Sequence, residues 1–250
     1  KRKVYLFCDE FTDYNDVEIG QAAYKLLTAL GYEVQLADHG ESGRTFLSKG
    51  LLRQTKVLAN SNVKALHSLI SAETPLIGIE PSAIITFRDE YPDLVDEEWL
   101  EASRKLASNT FLIDEFLAAE MAAGNISQLQ FSPSPRKIKL HGHCYQKAFH
   151  LLGATEQILA FPMGYEVETI PSGCCGMAGS FGYEKEHYEV SMKVGELVLL
   201  PAVRESLTEE IIAAPGTSCR HQIKDGASRR AYHPVEILWE ALLEKQTISN

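Results

Sequence analysis

No apolar run in this sequence approaches the roughly 20 residues that a membrane-spanning helix needs. The most apolar stretch, residues 75–87, is interrupted by Gly78, Glu80 and Pro81. A secretory leader is missing as well, because Lys1-Arg2-Lys3 runs directly into Val4-Tyr5-Leu6-Phe7, which reads as a strand. There is no initiator Met, which points to a piece of a longer polypeptide. Positive charge is short: Lys and Arg total 24 against 34 Asp and Glu, a formal net charge of −10 with His neutral. Such a field repels a polyanion, so nucleic acid is not expected as a partner. No glycine-rich phosphate loop is present to hold a nucleotide. Cysteine is scarce and odd in number, five residues in 250. A chain of this size needs no disulfide staples, so the thiols read as reduced, in a cytoplasmic setting, and open to metal or chemistry.

What is present is an ordinary globular composition, 45% hydrophobic and 23% charged, enough for one large core or two modest ones. The chemistry is lopsided. Cys144, Cys174, Cys175 and Cys219 lie in the second half, as do six of the eight His; Cys8 lies alone in the first.

The chain also repeats itself. Gly31-Tyr32-Glu33-Val34 returns as Gly164-Tyr165-Glu166-Val167. Collinear with it, Lys3-Val4-Tyr5-Leu6 matches Lys137-Ile138-Lys139-Leu140. Gly40-Glu41-Ser42-Gly43 matches Gly173-Cys174-Cys175-Gly176, and Pro81-Ser82-Ala83 falls near Gly216-Thr217-Ser218-Cys219. The seam is a linker at residues 126–136, which contains Ser132-Pro133-Ser134-Pro135. Each half reads as strands alternating with helices. Strands are expected at residues 4–7, 34–36 and 76–79, then at 137–141, 166–170 and 211–214. Helices are expected at 16–30, 46–58, 63–70, 97–107 and 111–123, then at 145–160, 183–200 and 234–245, with Pro201 ending the long one. The expected fold class is α/β: two pseudo-symmetric parallel-sheet units from an internal duplication.

The four second-half cysteines each follow a predicted strand, so they fall in βα turns on the carboxyl edge of one sheet, where α/β proteins assemble their sites. Gly173 and Gly176 bracket the adjacent pair and let backbone amides approach sulfur. Cys219 is expected at a helix start, capped by Thr217 or Ser218, where thiolate is favoured. Several readings of such a cluster stay open. Structural zinc usually draws ligands spaced Cys-x-x-Cys. A catalytic thiol beside His143 or His221 is a second reading. An iron–sulfur cluster spreads four thiolates over several irons and takes adjacent cysteines more readily. Cys8 fits a small buried hydrophobe.

These residues carry a resemblance. Cys144, then Ser172-Gly173-Cys174-Cys175-Gly176, then Cys219 resembles the cysteine-rich "CCG" domain, which occurs, usually duplicated, in heterodisulfide reductase, in the glycolate oxidase iron–sulfur subunit and in lactate-utilisation iron–sulfur proteins. The longer segments His141 to Ala148, Gly173 to Tyr183, Pro201 to Arg204 and Ser218 to Ile223 look most like the C-terminal iron–sulfur part of large FAD-linked D-lactate and D-2-hydroxyglutarate dehydrogenases. The resemblance implies residues 1–125 as a degenerate, structural repeat and residues 137–250 as the repeat with the cysteine site. It implies a [4Fe–4S] cluster on Cys144, Cys174, Cys175 and Cys219, with His143, His221 and Arg220 beside it. FAD would sit on a separate domain or subunit, with a ferredoxin-like iron–sulfur domain and an electron acceptor as further partners and, through them, a peripheral place at the inner membrane. The module would carry electrons, and an activity belongs to the whole oxidoreductase rather than to this chain alone. The alternative is a zinc-stabilised or metal-free interaction module, with thiol–disulfide chemistry at Cys174-Cys175 as a third course. Two departures stand out: the family's last Cys-x-x-Cys position is Gln222, and Glu10, Glu41, Ser42 and Ala83 occupy the first-half positions of the thiols.

Overall fold

The computed structural model describes residues 2–243. The chain forms two compact units, divided within the helix Ile113–Ala122, between Phe116 and Leu117. The first unit holds strands β1 (Lys3–Phe7), β2 (Glu33–Leu36), β3 (Leu76–Gly78) and β4 (Thr110–Leu112) in the order β2-β1-β3-β4. The second holds β5 (Arg136–Leu140), β6 (Tyr165–Thr169), β7 (Ile211–Ala213) and β8 (Ala231–Tyr232) in the order β6-β5-β7-β8. Every pairing is parallel, and the two orders are the same. That is a repeated α/β plan.

Position in the sheet explains strand composition. The inner strands β3 and β7 are covered on both faces, since the consecutive residues Leu76 and Ile77, and Ile212 and Ala213, are all buried. The edge strands β2 and β6 stay half exposed and keep polar residues, as in Tyr165-Glu166-Val167-Glu168-Thr169. Gly31 and Gly164 precede the edge strands with φ of +99° and +83°, so the repeated glycine meets the same backbone demand in both units.

Several elements differ from the sequence expectation. Each sheet has a fourth strand that periodicity misses. Thr110–Leu112 runs without a break into an apolar helix, so no change of period marks the junction. Ala231–Tyr232 is two residues long. Residues 145–160 split into helices Cys144–Ala148 and Leu152–Leu159, with His150 at φ +58° between them. Residues 183–200 are not one helix but Tyr188–Gly195 and Leu199–Glu205. Pro201 lies in the first turn of the second, where its missing N–H breaks no helical hydrogen bond, so it opens a helix rather than ending one. In the first unit, residues 46–70 give one long helix, Leu52–Leu66, after a short one, Arg44–Ser48. The closing helix is Pro234–Ala241, and its expected end at Lys245 lies outside the described residues.

At the carboxyl edge of the first sheet, polar side chains satisfy one another. Asp9 caps the helix Glu10–Tyr14 and accepts from Phe11 N (2.9 Å), Thr12 N (3.0 Å) and Thr12 Oγ1 (2.9 Å). Glu10 accepts from Ser42 N (2.9 Å) and Ser42 Oγ (2.7 Å). Tyr91 donates to Ser42 O and accepts from Asn62, whose amide also donates to Glu41 O.

Burial, reinforced by neighbouring Glu80, pushes the Asp9 carboxyl up to about 7. The folded state therefore holds a proton that the unfolded chain releases near pH 4. Stability from this group is full below that pH and drains away as the pH rises to about 7. The expected outcome is that Asp9→Asn, which keeps the cap, gains on the wild type by on the order of 1–3 kcal/mol between about pH 4.5 and 7.5 in urea unfolding. A constant difference across that window would contradict it.

Candidate metal centre

Three turns at the carboxyl edge of the second sheet bring the four thiols together. Cys144 is the first residue of the helix after β5, Cys174 and Cys175 lie in the turn after β6, and Cys219 is in the first turn of the helix Thr217–Ala227 after β7. The sulfurs contact one another in a chain: Cys144 with Cys174, Cys174 with Cys175, Cys175 with Cys219. Cys144 is exposed, Cys174 half-buried, and Cys175 and Cys219 buried. The inner pair packs into the apolar core with Ile170, Met177, Val203, Ile212 and Ile223.

Hydrogen bonds between neighbouring thiols push them in opposite directions. Hydrogen bonds from Cys144 and Cys175 hold the Cys174 thiol low, helped by the amides of Gly176 and Ala178. A hydrogen bond from Cys175 holds the Cys219 thiol well below its usual range, with His141 and His143 adding to the effect. Cys144 and Cys175 supply those bonds and are pushed up, further so by burial. Hydrogen bonds thus favour thiolate at some of these sulfurs, and a cation would favour it at all four.

The backbone points at sulfur as the glycines suggest, but only one glycine is obligatory. Gly176 N donates to Cys174 Sγ at 3.3 Å, its φ is +102°, and a Cβ there would sit 2.1 Å from Ser191 O. Gly173 is open: a Cβ would meet nothing within 4 Å, and its role is to offer a carbonyl to Lys147 Nζ at 2.8 Å. Lys147 also donates to Ser172 O at 2.6 Å. Burial lowers its ammonium pKa, and the surrounding thiols pull the other way. Nothing in the sequence pattern singles out this cation beside the thiols.

Of the flanking residues named from sequence, His143 lies beside the turn that carries Cys219, and His221 is on another side of the helix Thr217–Ala227. His143 caps the helix Cys144–Ala148, its Nδ1 accepting from Tyr145 N at 3.2 Å. Gly216 has to be small beside it, since a Cβ there would lie 2.3 Å from the His143 ring. His221 turns away and bonds Tyr183 Oη, because two residues along a helix is about 200° of rotation from Cys219. Arg220 is buried and donates to Ala214 O, Pro215 O and Thr217 Oγ1, which secures the turn that carries Cys219. The cap of that helix is Gly216, not Thr217 or Ser218.

Gln222, at the family's last cysteine position, is buried and spends its Nε2 on Cys175 O (3.0 Å), Ser191 O (3.0 Å) and Ser191 Oγ (3.1 Å). A residue that the sequence does not mark as a ligand, His141 just after β5, also reaches the site. It is fully buried, and donor atoms of His141, Cys175 and Cys219 all lie within 4.8 Å of one another. The donor set fits a thiophilic metal. It has four convergent sulfurs, two of them buried, an imidazole at the inner end and backbone amides aimed at sulfur. In the first unit Cys8 is half-buried, and burial with Asp13 and Asp9 pushes its thiol up to about 11.

Gly176→Ala is expected to cost more than about 1–3 kcal/mol in thermal or urea unfolding, from the positive φ and the Ser191 carbonyl. Gly173→Ala is expected to stay within about 0.5 kcal/mol of the wild type. Equal losses would mean that the cysteine loop is not held as described.

Comparison with known proteins finds similarity to two dehydrogenase components and to a lactate utilization protein. D-2-hydroxyglutarate dehydrogenase of Escherichia coli (strain K12) is 29% identical over 243 residues, a stretch that covers 96% of this chain and 23% of that protein. One subunit of the anaerobic glycerol-3-phosphate dehydrogenase of the same organism is 27% identical over 244 residues, 97% of this chain and 60% of that one. Lactate utilization protein A of Bacillus licheniformis is 26% identical over 247 residues, 94% of this chain and 96% of that one. The chain thus spans less than two thirds of the first two relatives. No protein-family model matches it.

Proposed function

We propose that this chain is the iron–sulfur electron-transfer module of a flavin-linked oxidoreductase of the 2-hydroxy-acid dehydrogenase type. The observation that carries the reading is the run of four touching thiols drawn from three strand-end turns of one sheet. Cys144, Cys174, Cys175 and Cys219 would hold a [4Fe–4S] cluster, which, when bound, accepts and releases single electrons. The chain's own residues set the conditions. The amides of Tyr145, Gly176, Met177 and Ala178 are directed at sulfur, and Lys147 offsets thiolate charge. The apolar packing around Cys175 and Cys219 excludes water from the inner end, while exposed Cys144 leaves the outer end open to a redox partner.

Hydride removal from substrate would take place on FAD in a separate domain or subunit, with a ferredoxin-like iron–sulfur domain and an electron acceptor as further partners. The similarity to two dehydrogenase components supports an oxidoreductase setting. Among the described residues no helix is long and apolar enough to cross a membrane, so any seat at the inner membrane would come through partners. The first unit serves as scaffold: Glu10 and Ser42 bond each other where Cys144 and Cys175 stand in the second unit.

One observation favours zinc as a second reading. His141, Cys175 and Cys219 are close enough to share a single tetrahedral ion. Metal analysis separates the two. After anaerobic reconstitution the wild type is expected to be brown and to bind iron and sulfide together. Cys175→Ser is expected to lose both, because an alkoxide is a far poorer iron ligand than a thiolate. Glu41→Ala, on the corresponding loop of the first unit, is expected to leave iron unchanged. Colourless protein with zinc and no sulfide would overturn the electron-transfer reading.

A further inference from the structure

We infer that His141 is a metal ligand of this site through Nε2, so that the centre combines thiolates with one imidazole. The inference rests on the iron–sulfur reading and deepens it, and it begins from hydrogen-bond accounting. The His141 ring is fully buried, and its Nδ1 lies 2.7 Å from Ser172 Oγ. Ser172 Oγ in turn donates to Ile170 O at 3.4 Å. The Ser172 contact occupies Nδ1 whichever group donates, and it leaves Nε2 as the ring nitrogen available to a ligand. Nε2 is buried with no nitrogen or oxygen partner, and a buried polar atom left so is destabilising. The groups within reach are Cys175 and Cys219, both thiolates once a metal binds. In the loaded site Ser172 accepts from Nδ1, and Nε2 has a metal to face.

Metal-bound imidazoles use the same arrangement: the far ring nitrogen donates to a fixed acceptor, which sets ring orientation and raises ligand basicity. His143 provides the contrast. Its Nδ1 already accepts from Tyr145 N, so the neutral ring carries its proton on Nε2. His143 can donate to a thiolate and cannot ligate through Nδ1 without giving up the helix cap. Two histidines two residues apart thus offer different groups, Nε2 of His141 to a metal and Nε2–H of His143 to a thiolate. His141 also restores a donor at the buried end of the site, where Gln222 occupies the position of a fifth thiol.

The test uses the wild-type chain reconstituted anaerobically with ferrous iron and sulfide, prepared with either natural or imidazole-15N histidine. Electron–nuclear double resonance is read in the paramagnetic redox state. A nitrogen coupling is expected that follows the isotope, disappears in His141→Gln and persists in His143→Gln. Replacement of an anionic thiolate by neutral imidazole raises a cluster's potential, so His141→Cys is expected to lower the midpoint. Ser172→Ala keeps the imidazole and removes its partner at Nδ1. It is expected to give up iron to a chelator roughly 10–100-fold more readily than the wild type while retaining the nitrogen coupling. It serves where His141→Gln fails to fold by circular dichroism. Iron-loaded wild type with no histidine nitrogen coupling overturns this inference and leaves the cluster reading standing. Wild type that takes up neither iron nor sulfide overturns both.

Discussion

Four thiols in contact over an apolar core form an arrangement that cannot be fully ionised without help. Sulfur tolerates burial when protonated, yet metal binding needs thiolate, and neighbouring thiolates in a low-dielectric setting repel strongly. Hydrogen bonding inside the cluster eases this by lowering the Cys174 and Cys219 thiols at the expense of Cys144 and Cys175. A polyvalent cation would ease it for all four. Most of the second unit's local detail follows from that demand. The strained Gly176, the Lys147 ammonium on the Ser172 and Gly173 carbonyls, and the Arg220 clamp on the turn before Cys219 all steady the sulfurs or supply positive potential nearby.

The first unit solves the same topological problem without metal. Its sheet has the same strand order, and its three strand-end turns have the same neighbours. Where the second unit sets sulfur against sulfur, the first sets Glu10 against Ser42 and then ties the Ser42 loop down with Asn62 and Tyr91. A carboxylate that accepts two hydrogen bonds from a hydroxyl and an amide is satisfied in place, so the corner stays closed. The N-cap position before each corner also changes chemistry within the same geometry, Asp9 in one unit and His143 in the other, each accepting from the helix that follows.

Much of this was legible in the sequence, and the reason is topological. In a parallel α/β unit the residues after each strand fall on one edge, so locating three strands before Cys144, Cys174 and Cys219 was enough to predict their convergence. What stayed hidden depends on side-chain direction or on very short elements. β8 has two residues, and β4 merges with the helix after it, so neither leaves a periodic trace. The placement of His221 follows from helical phase alone, since it lies about 200° round the helix from Cys219. His141 gives no such signal: it reads as the end of a strand, and its ring is held by the Ser172 hydroxyl, 31 residues away.

Gln222 acts as a brace on the cysteine loop. A cysteine there would present a thiol one helical turn beyond Cys219, on the same face. The glutamine amide instead reaches the Cys175 carbonyl and the Ser191 backbone and hydroxyl, tying the cysteine loop to the helix Tyr188–Gly195. Those bonds act on the same loop that Gly176 bends, and Ser191 O is the atom that forbids a side chain at Gly176. Gln222, Ser191 and Gly176 therefore form one mechanical unit, and its output is the position of the Cys175 sulfur. The glutamine brace holds Cys175 against Cys219 and His141 at the inner end of the site.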